Sequence, residues 1–213
     1  MKDRSAFHNK FHYWLLFIIA FSIPLCNPGL TNPLLPALIG VLTLNWLVSG
    51  QIKNLFSLGQ KKWYVLLFTG FYFIHLLAMT YSDNIEFGLN DLEIKLSLLL
   101  FPVLFATSSL LSGSQKLKIS LGFVLGCLSG VLVSFINGFY HFYLSKDISS
   151  IYYSQLSLFH HPGYYSMYLC LCIVIGAYYL IYQKAITNRS QRIVFSSIIP
   201  LFSIFITLLM SKI

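Results

Sequence analysis

Three places in this sequence set ionisable or ligating side chains against long apolar runs, and each suggests its own chemistry. His75 falls inside the run that begins near Trp63. An imidazole held in a membrane is a functional candidate by default, because burying an ionisable group costs a few kcal/mol; the alternative is a neutral ring that hydrogen-bonds one helix to another. Glu93 and Lys95 stand at the head of the next run. A lysine there could hold a lipid phosphate as a point charge, or lay its stem along apolar surface and lift its amine to the interface. The two-residue spacing of Glu93 and Lys95 puts them on different faces of a helix, so no salt bridge between them is expected.

The third place is His160-His161-Pro162-Gly163-Tyr164-Tyr165. Pro162 fixes a turn and holds His161 extended. Adjacent histidines seldom chelate one metal, even with His141 to help, so a polar or substrate-facing turn is expected and a metal site is not. Cys26, Cys127, Cys170 and Cys172 fall in or beside apolar runs with no metal or redox spacing, and are expected to pack as small apolar residues. Phosphate-cradling glycine loops, a Ser-His-Asp arrangement and paired carboxylates inside a span are all missing from the sequence. Nor do the runs hold the string of buried Asp, Glu or Arg that an ion-coupled pump needs.

The elements that must position these groups follow from composition. Hydrophobic residues make up 57% of the 213 and charged residues 9%, against about 25% charged in soluble domains. That is too little charge to coat a water-exposed surface. Apolar runs cover about Phe11 to Cys26, Leu30 to Val48, Trp63 to Thr80, Leu96 to Leu111, Ile119 to Phe139, Tyr164 to Tyr182 and Ile193 to Met210. A lipid-embedded backbone must satisfy its own hydrogen bonds, so the expected fold is all-α: a polytopic transmembrane helical bundle of about seven spans.

Charge sets its orientation. With the N-terminus in the cytoplasm, 11 of the 14 basic residues fall in inner segments, while Lys95, Lys146, Lys212 and five of the six acidic residues fall outside. The net charge of +8 is therefore a topology signal, and no nucleic-acid partner is expected. Lys2, Arg4 and Lys10 ahead of Trp14 look like a secretory leader, but no small-x-small cleavage site follows, so an uncleaved first span is expected. Between the fifth and sixth runs lies the longest polar gap, Tyr140 to Pro162, where Ile151 to Phe159 could form a short helix at the membrane surface. The fifth run carries Gly122, Gly126, Gly130, Ser134 and Gly138, a small residue at every fourth position that lets another helix approach closely, within the bundle or between two chains.

Three stretches resemble the O-antigen ligase and O-antigen polymerase family. They are His75-Leu76-Leu77-Ala78-Met79-Thr80-Tyr81-Ser82-Asp83-Asn84, then Leu92-Glu93-Ile94-Lys95-Leu96-Ser97-Leu98-Leu99-Leu100-Phe101-Pro102, and His161-Pro162-Gly163-Tyr164-Tyr165-Ser166. Their order and expected outer placement carry the resemblance, which spans about residues 65 to 212. It implies glycosyl transfer at the periplasmic face of a bacterial inner membrane, by a multi-pass protein without nucleotide, metal or other cofactor. A glycan would leave an undecaprenyl-pyrophosphate carrier for a lipid A-core or polysaccharide acceptor. Such a step needs cations for the departing pyrophosphate and a base for the acceptor hydroxyl.

On the resemblance, Lys95, His161 and Lys212 are the substrate-binding candidates, and no residue is assigned as catalytic. Family members commonly carry Ser-Arg where this chain has Ser211-Lys212, and often Thr or Ser where it has Gly163. Residues 1–213 are expected to form one transmembrane domain, the N-terminal part of a longer protein whose catalytic half lies further on. Two other readings stand beside this one: a small transporter or flippase component that assembles through the Gly122 to Gly138 stripe, and a noncatalytic membrane remnant. The orientation predicts that a reporter fused after Ser57 is active in the cytoplasm and one fused after Ser149 only outside. The reverse pattern overturns the assignment.

Overall fold

In a computed structural model the described residues are 2–26, 33–59, 62–108, 111–182 and 188–210, and every regular element among them is helical. In chain order these are α1 (Lys2–Ser22), α2 (Leu34–Val48), α3 (Lys62–Ala78), α4 (Ile85–Thr107), α5 (Gly113–Ser145), the single turn α6 (Tyr153–Leu156), α7 (Pro162–Ile181) and α8 (Arg189–Leu209), with short 3-10 turns between several of them. The chain divides into two compact units, Met1–His12 with Gly40–Leu110, and Tyr13–Ile39 with Leu111–Ile213.

Among the described residues each apolar run read from the sequence lies mainly on a helix, and four or five of these helices are fit to cross a bilayer, where about seven spans are expected. Four are long and apolar enough: α3 with the turn that follows it (Lys62–Tyr81), α5, α7 and α8. A fifth arises if α2 and the 3-10 helix Gln51–Ser57 count as one broken span or re-entrant loop, bent by 73°. Gly50 makes that bend possible, with a φ of 72° that costs a residue without Cβ little. The shortfall has plain causes. α2 has 15 residues, about 22 Å of helix against the roughly 30 Å of hydrocarbon to be crossed. α1 begins with the charged stretch Lys2 to Lys10, and α4 spends its first half on Glu86, Asp91, Glu93 and Lys95.

In the first unit, polar contacts close on buried Thr107 at the end of α4. Trp46 Nε1 donates to its Oγ1 at 2.8 Å and Asn54 Nδ2 to its carbonyl at 2.8 Å. Its hydroxyl in turn donates to the Val103 carbonyl. α4 starts on an Asn84 side chain that accepts from Phe87 N–H at 3.0 Å, one of the orphan donors at a helix start.

The second unit is built around α5. A capping box of Ser112 and Gln115 opens this helix, and Lys146 closes it in the left-handed region. Val124, Cys127, Val131, Leu156, Tyr165, Leu169, Cys172, Phe195, Phe202 and Phe205 form a core with no exposed surface. The small-residue stripe is filled from within the chain. A Cβ at Gly122 would lie 2.9 Å from the Phe17 ring, one at Gly126 would run into the Phe21 carbonyl oxygen, and one at Gly130 would displace the Tyr165 hydroxyl and press on Leu25. At Gly138 it would stand 3.0 Å from the Ser150 carbonyl oxygen.

Gly126→Ala should therefore destabilise the protein by about 1–3 kcal/mol, because the neighbour that must yield is backbone. Gly40→Ala meets nothing within 4 Å and should be neutral or gain up to about 1 kcal/mol from helix propensity. Thermal unfolding in detergent separates the two; equal effects would mean the stripe is not packed as described.

Candidate functional site

The turn ahead of α7 carries the most ordered chemistry in the second unit. Pro162 occupies the first position of the helix, where its missing N–H is no loss. As the sequence predicts, it holds His161 extended, at φ −55° and ψ 136°. The His161 side chain caps the helix by accepting from the Gly163 N–H at Nδ1, 3.3 Å away. This bond fixes the tautomer: in the neutral ring the proton sits on Nε2. The ring is exposed, with Tyr153 and Tyr164 edge-on to it at 6.4 and 6.2 Å. His161 thus presents an outward N–H donor at the N-terminus of a 20-residue helix, where backbone N–H groups and the helix dipole both favour an anion. As a base the same ring is poorly placed, because its Nδ1 lone pair is engaged.

His160 does different work. Its Nε2 lies 3.1 Å from the Ile23 carbonyl oxygen, and its ring stands edge-on to Tyr168 at 5.3 Å. The His160 carbonyl accepts from Ser157 Oγ. One histidine of the pair therefore ties the turn to the segment after α1, and the other is left to face outward. The polar gap before them first continues α5 to Ser145, then forms a 3-10 turn, Ile148–Ile151, and α6, which is shorter than the Ile151 to Phe159 helix expected from sequence. Tyr153 at the start of α6 takes a φ of 47°, a region that costs a bulky side chain of order 1–3 kcal/mol.

Lys95 belongs to the first unit, midway along α4. It is not free: Nζ lies 2.5 Å from Asp91 Oδ2, one helical turn earlier. The acid precedes the base at i, i+4, the better orientation for a helix pair. Both side chains are partly exposed, so the pair adds little stability and mainly neutralises the lysine. His75 hydrogen-bonds within its own helix, its Nδ1 lying 2.9 Å from the Phe71 carbonyl oxygen, so it does not link α3 to another helix through that atom. Lys212 lies outside the described residues.

The chain matches no family model, no curated protein and no solved structure.

The partner of Lys95 is Asp91, not Glu93, and its local signal in the sequence is the i, i+4 spacing. The bond from His160 to Ile23 bridges 137 positions and has no local signal. Replacing His160 by Ala should cost about 1 kcal/mol of stability through loss of that bond. His161→Ala should cost less than about 0.5 kcal/mol, as expected of an exposed cap whose helix keeps its proline start. Thermal unfolding of both variants in detergent checks the division; a larger loss at His161 than at His160 would reverse the two roles.

Proposed function

We propose that the chain belongs to a membrane glycosyltransferase of the O-antigen ligase kind, set in a bacterial inner membrane with about seven spans and a cytoplasmic N-terminus. The reaction on this reading is the transfer of a glycan from an undecaprenyl-pyrophosphate carrier to a lipid A-core or polysaccharide acceptor at the periplasmic face.

The observation that carries it is the exposed His161 donor at the N-terminus of α7, within one of the three stretches that resemble the family. A departing pyrophosphate gathers negative charge, and preorganised donors at a helix N-terminus are suited to receive it. On the resemblance, Lys95 and Lys212 would each hold a phosphate of the carrier. For Lys95 to do so its bond to Asp91 must be exchanged for one to phosphate, which a weakly stabilising helix pair permits. The small-residue stripe that would have served an oligomeric transporter is occupied by Phe17, Phe21, Leu25 and Tyr165, which favours the transferase reading over it.

Deleting the gene should abolish attachment or extension of surface polysaccharide, seen as loss of the ladder on a gel of extracted lipopolysaccharide. Restoring the complete gene with His161→Ala should leave transfer about 10²-fold lower, the usual cost of removing a preorganised donor. An unchanged ladder in the deletion strain sinks the proposal.

A further inference from the structure

The 3-10 helix between α2 and α3, Gln51–Ser57, repeats every three residues, so its side chains fall into three rows. Gln51, Asn54 and Ser57 make a polar row. It is held to the end of α4 through Asn54, whose Nδ2 donates to the Thr107 carbonyl, while Ser57 Oγ donates to the Asn54 carbonyl. Ile52 and Leu55, continued by Leu58, make an apolar row. The third row is Lys53 and Phe56, both exposed, and Phe56 shows 97% of its surface.

A short helix with one row pinned to the protein and the others apolar and cationic is built to lie at a membrane surface. Its seven residues measure about 14 Å, less than half the depth of the hydrocarbon. It is bent by 73° from α2, so it runs more nearly along that surface than across it.

Where this helix meets the start of α3, the first unit holds a concavity of about 530 Å³ lined by Leu55, Phe56, Leu58, Gly59, Lys62 and Trp63. Its volume falls in the range of about 300–1,000 Å³ typical of small-molecule sites. Gly59, at a φ of 53°, turns the chain between the two walls. Lys62 Nζ stands over the Trp63 ring, 5.5 Å from the centroid, a contact that leaves the ammonium N–H groups able to donate to an anion. Trp63 and Tyr64 are both exposed, as amphipathic rings at the headgroup level are.

Chemistry narrows the occupant. Residues 51–63 carry Lys53, Lys61 and Lys62 and no acidic residue. Topology accounts for lysines in such a loop, but not for a lysine set into an apolar concavity. A soluble anion would leave Leu55, Phe56 and Leu58 facing water, and hydrocarbon alone would cover the ammonium without a partner. A ligand anionic at one end and apolar at the other satisfies both walls.

We propose that this concavity binds one anionic phospholipid of the surrounding bilayer, its phosphate on Lys62 and the start of its acyl chains against Leu55, Phe56 and Leu58. The site is separate from the glycosyl-transfer reading and does not rest on it.

The test is tryptophan quenching in the full chain, reconstituted into bilayers of phosphatidylcholine and phosphatidylglycerol with bromine on the acyl chains of one lipid or the other. A Trp14→Phe background leaves Trp63 as the exposed tryptophan, since Trp46 is buried. At equal mole fraction, brominated phosphatidylglycerol should quench as though enriched about fivefold at Trp63, the gain expected from one lysine at a membrane surface. Lys62→Ala should remove that preference. Lys116→Ala, at an exposed lysine of α5, should keep it. Trp14 and Lys62 are themselves exposed, and a thermal unfolding trace confirms that each variant is folded. Equal quenching by the two lipids overturns the proposal. So does an equal loss in Lys62→Ala and Lys116→Ala, which would mean general surface attraction, or loss of the preference on adding equimolar glycerol phosphate, which would mean a site for soluble phosphate.

Discussion

The second unit depends on one close approach, the Phe21 carbonyl lying against Gly126 of α5. Helices in lipid gain no hydrophobic driving force from meeting, since acyl chains are as apolar as leucine, and must rely on tight packing. A glycine at the crossing lets backbone meet backbone. From that point the rest follows in register: Phe17 sits over Gly122, and Leu25 and the Tyr165 hydroxyl sit over Gly130. The Tyr165 hydroxyl donates to the Cys127 carbonyl at 3.2 Å, and the Ile23 carbonyl reaches His160. If α1 were held a side chain's width further out, the turn before α7 would lose its anchor.

Polar side chains here obey the same scarcity. With so few partners available, they turn to backbone carbonyls: Ser120, Ser129, Ser197 and Ser203 each donate to the carbonyl one turn earlier in their own helix, and His75 uses Phe71 in the same way. Such bonds satisfy a polar group without asking anything of a neighbouring helix. Where side chains do reach across, as Trp46 and Asn54 do to Thr107, they mark the joints of the first unit.

Much of the helix map was legible in the sequence, because apolar runs, capping residues and prolines are local signals. The extended His161 ahead of Pro162 is the clearest instance, a steric consequence of one residue on its predecessor. What could not be read locally was the bend after α2, which turns on the positive φ of Gly50, and the division of labour between His160 and His161, which depends on a carbonyl far away in the chain.

α5 has 33 residues, about 50 Å of helix, whereas α7 and α8 with 20 and 21 measure about 30 Å, the depth of a typical hydrocarbon layer. Even a tilt of about 40°, the upper end of what is seen, would not hide the surplus of α5. The three helices therefore respond unequally to membrane thickness. α5 carries Lys116 and Lys118 near one end and His141 and Ser145 near the other, so its surplus length ends in polar groups that water or headgroups can meet. α7 and α8 have no such reserve. A thicker or thinner bilayer would be felt first by the short pair, the helices that carry His161 and close the core.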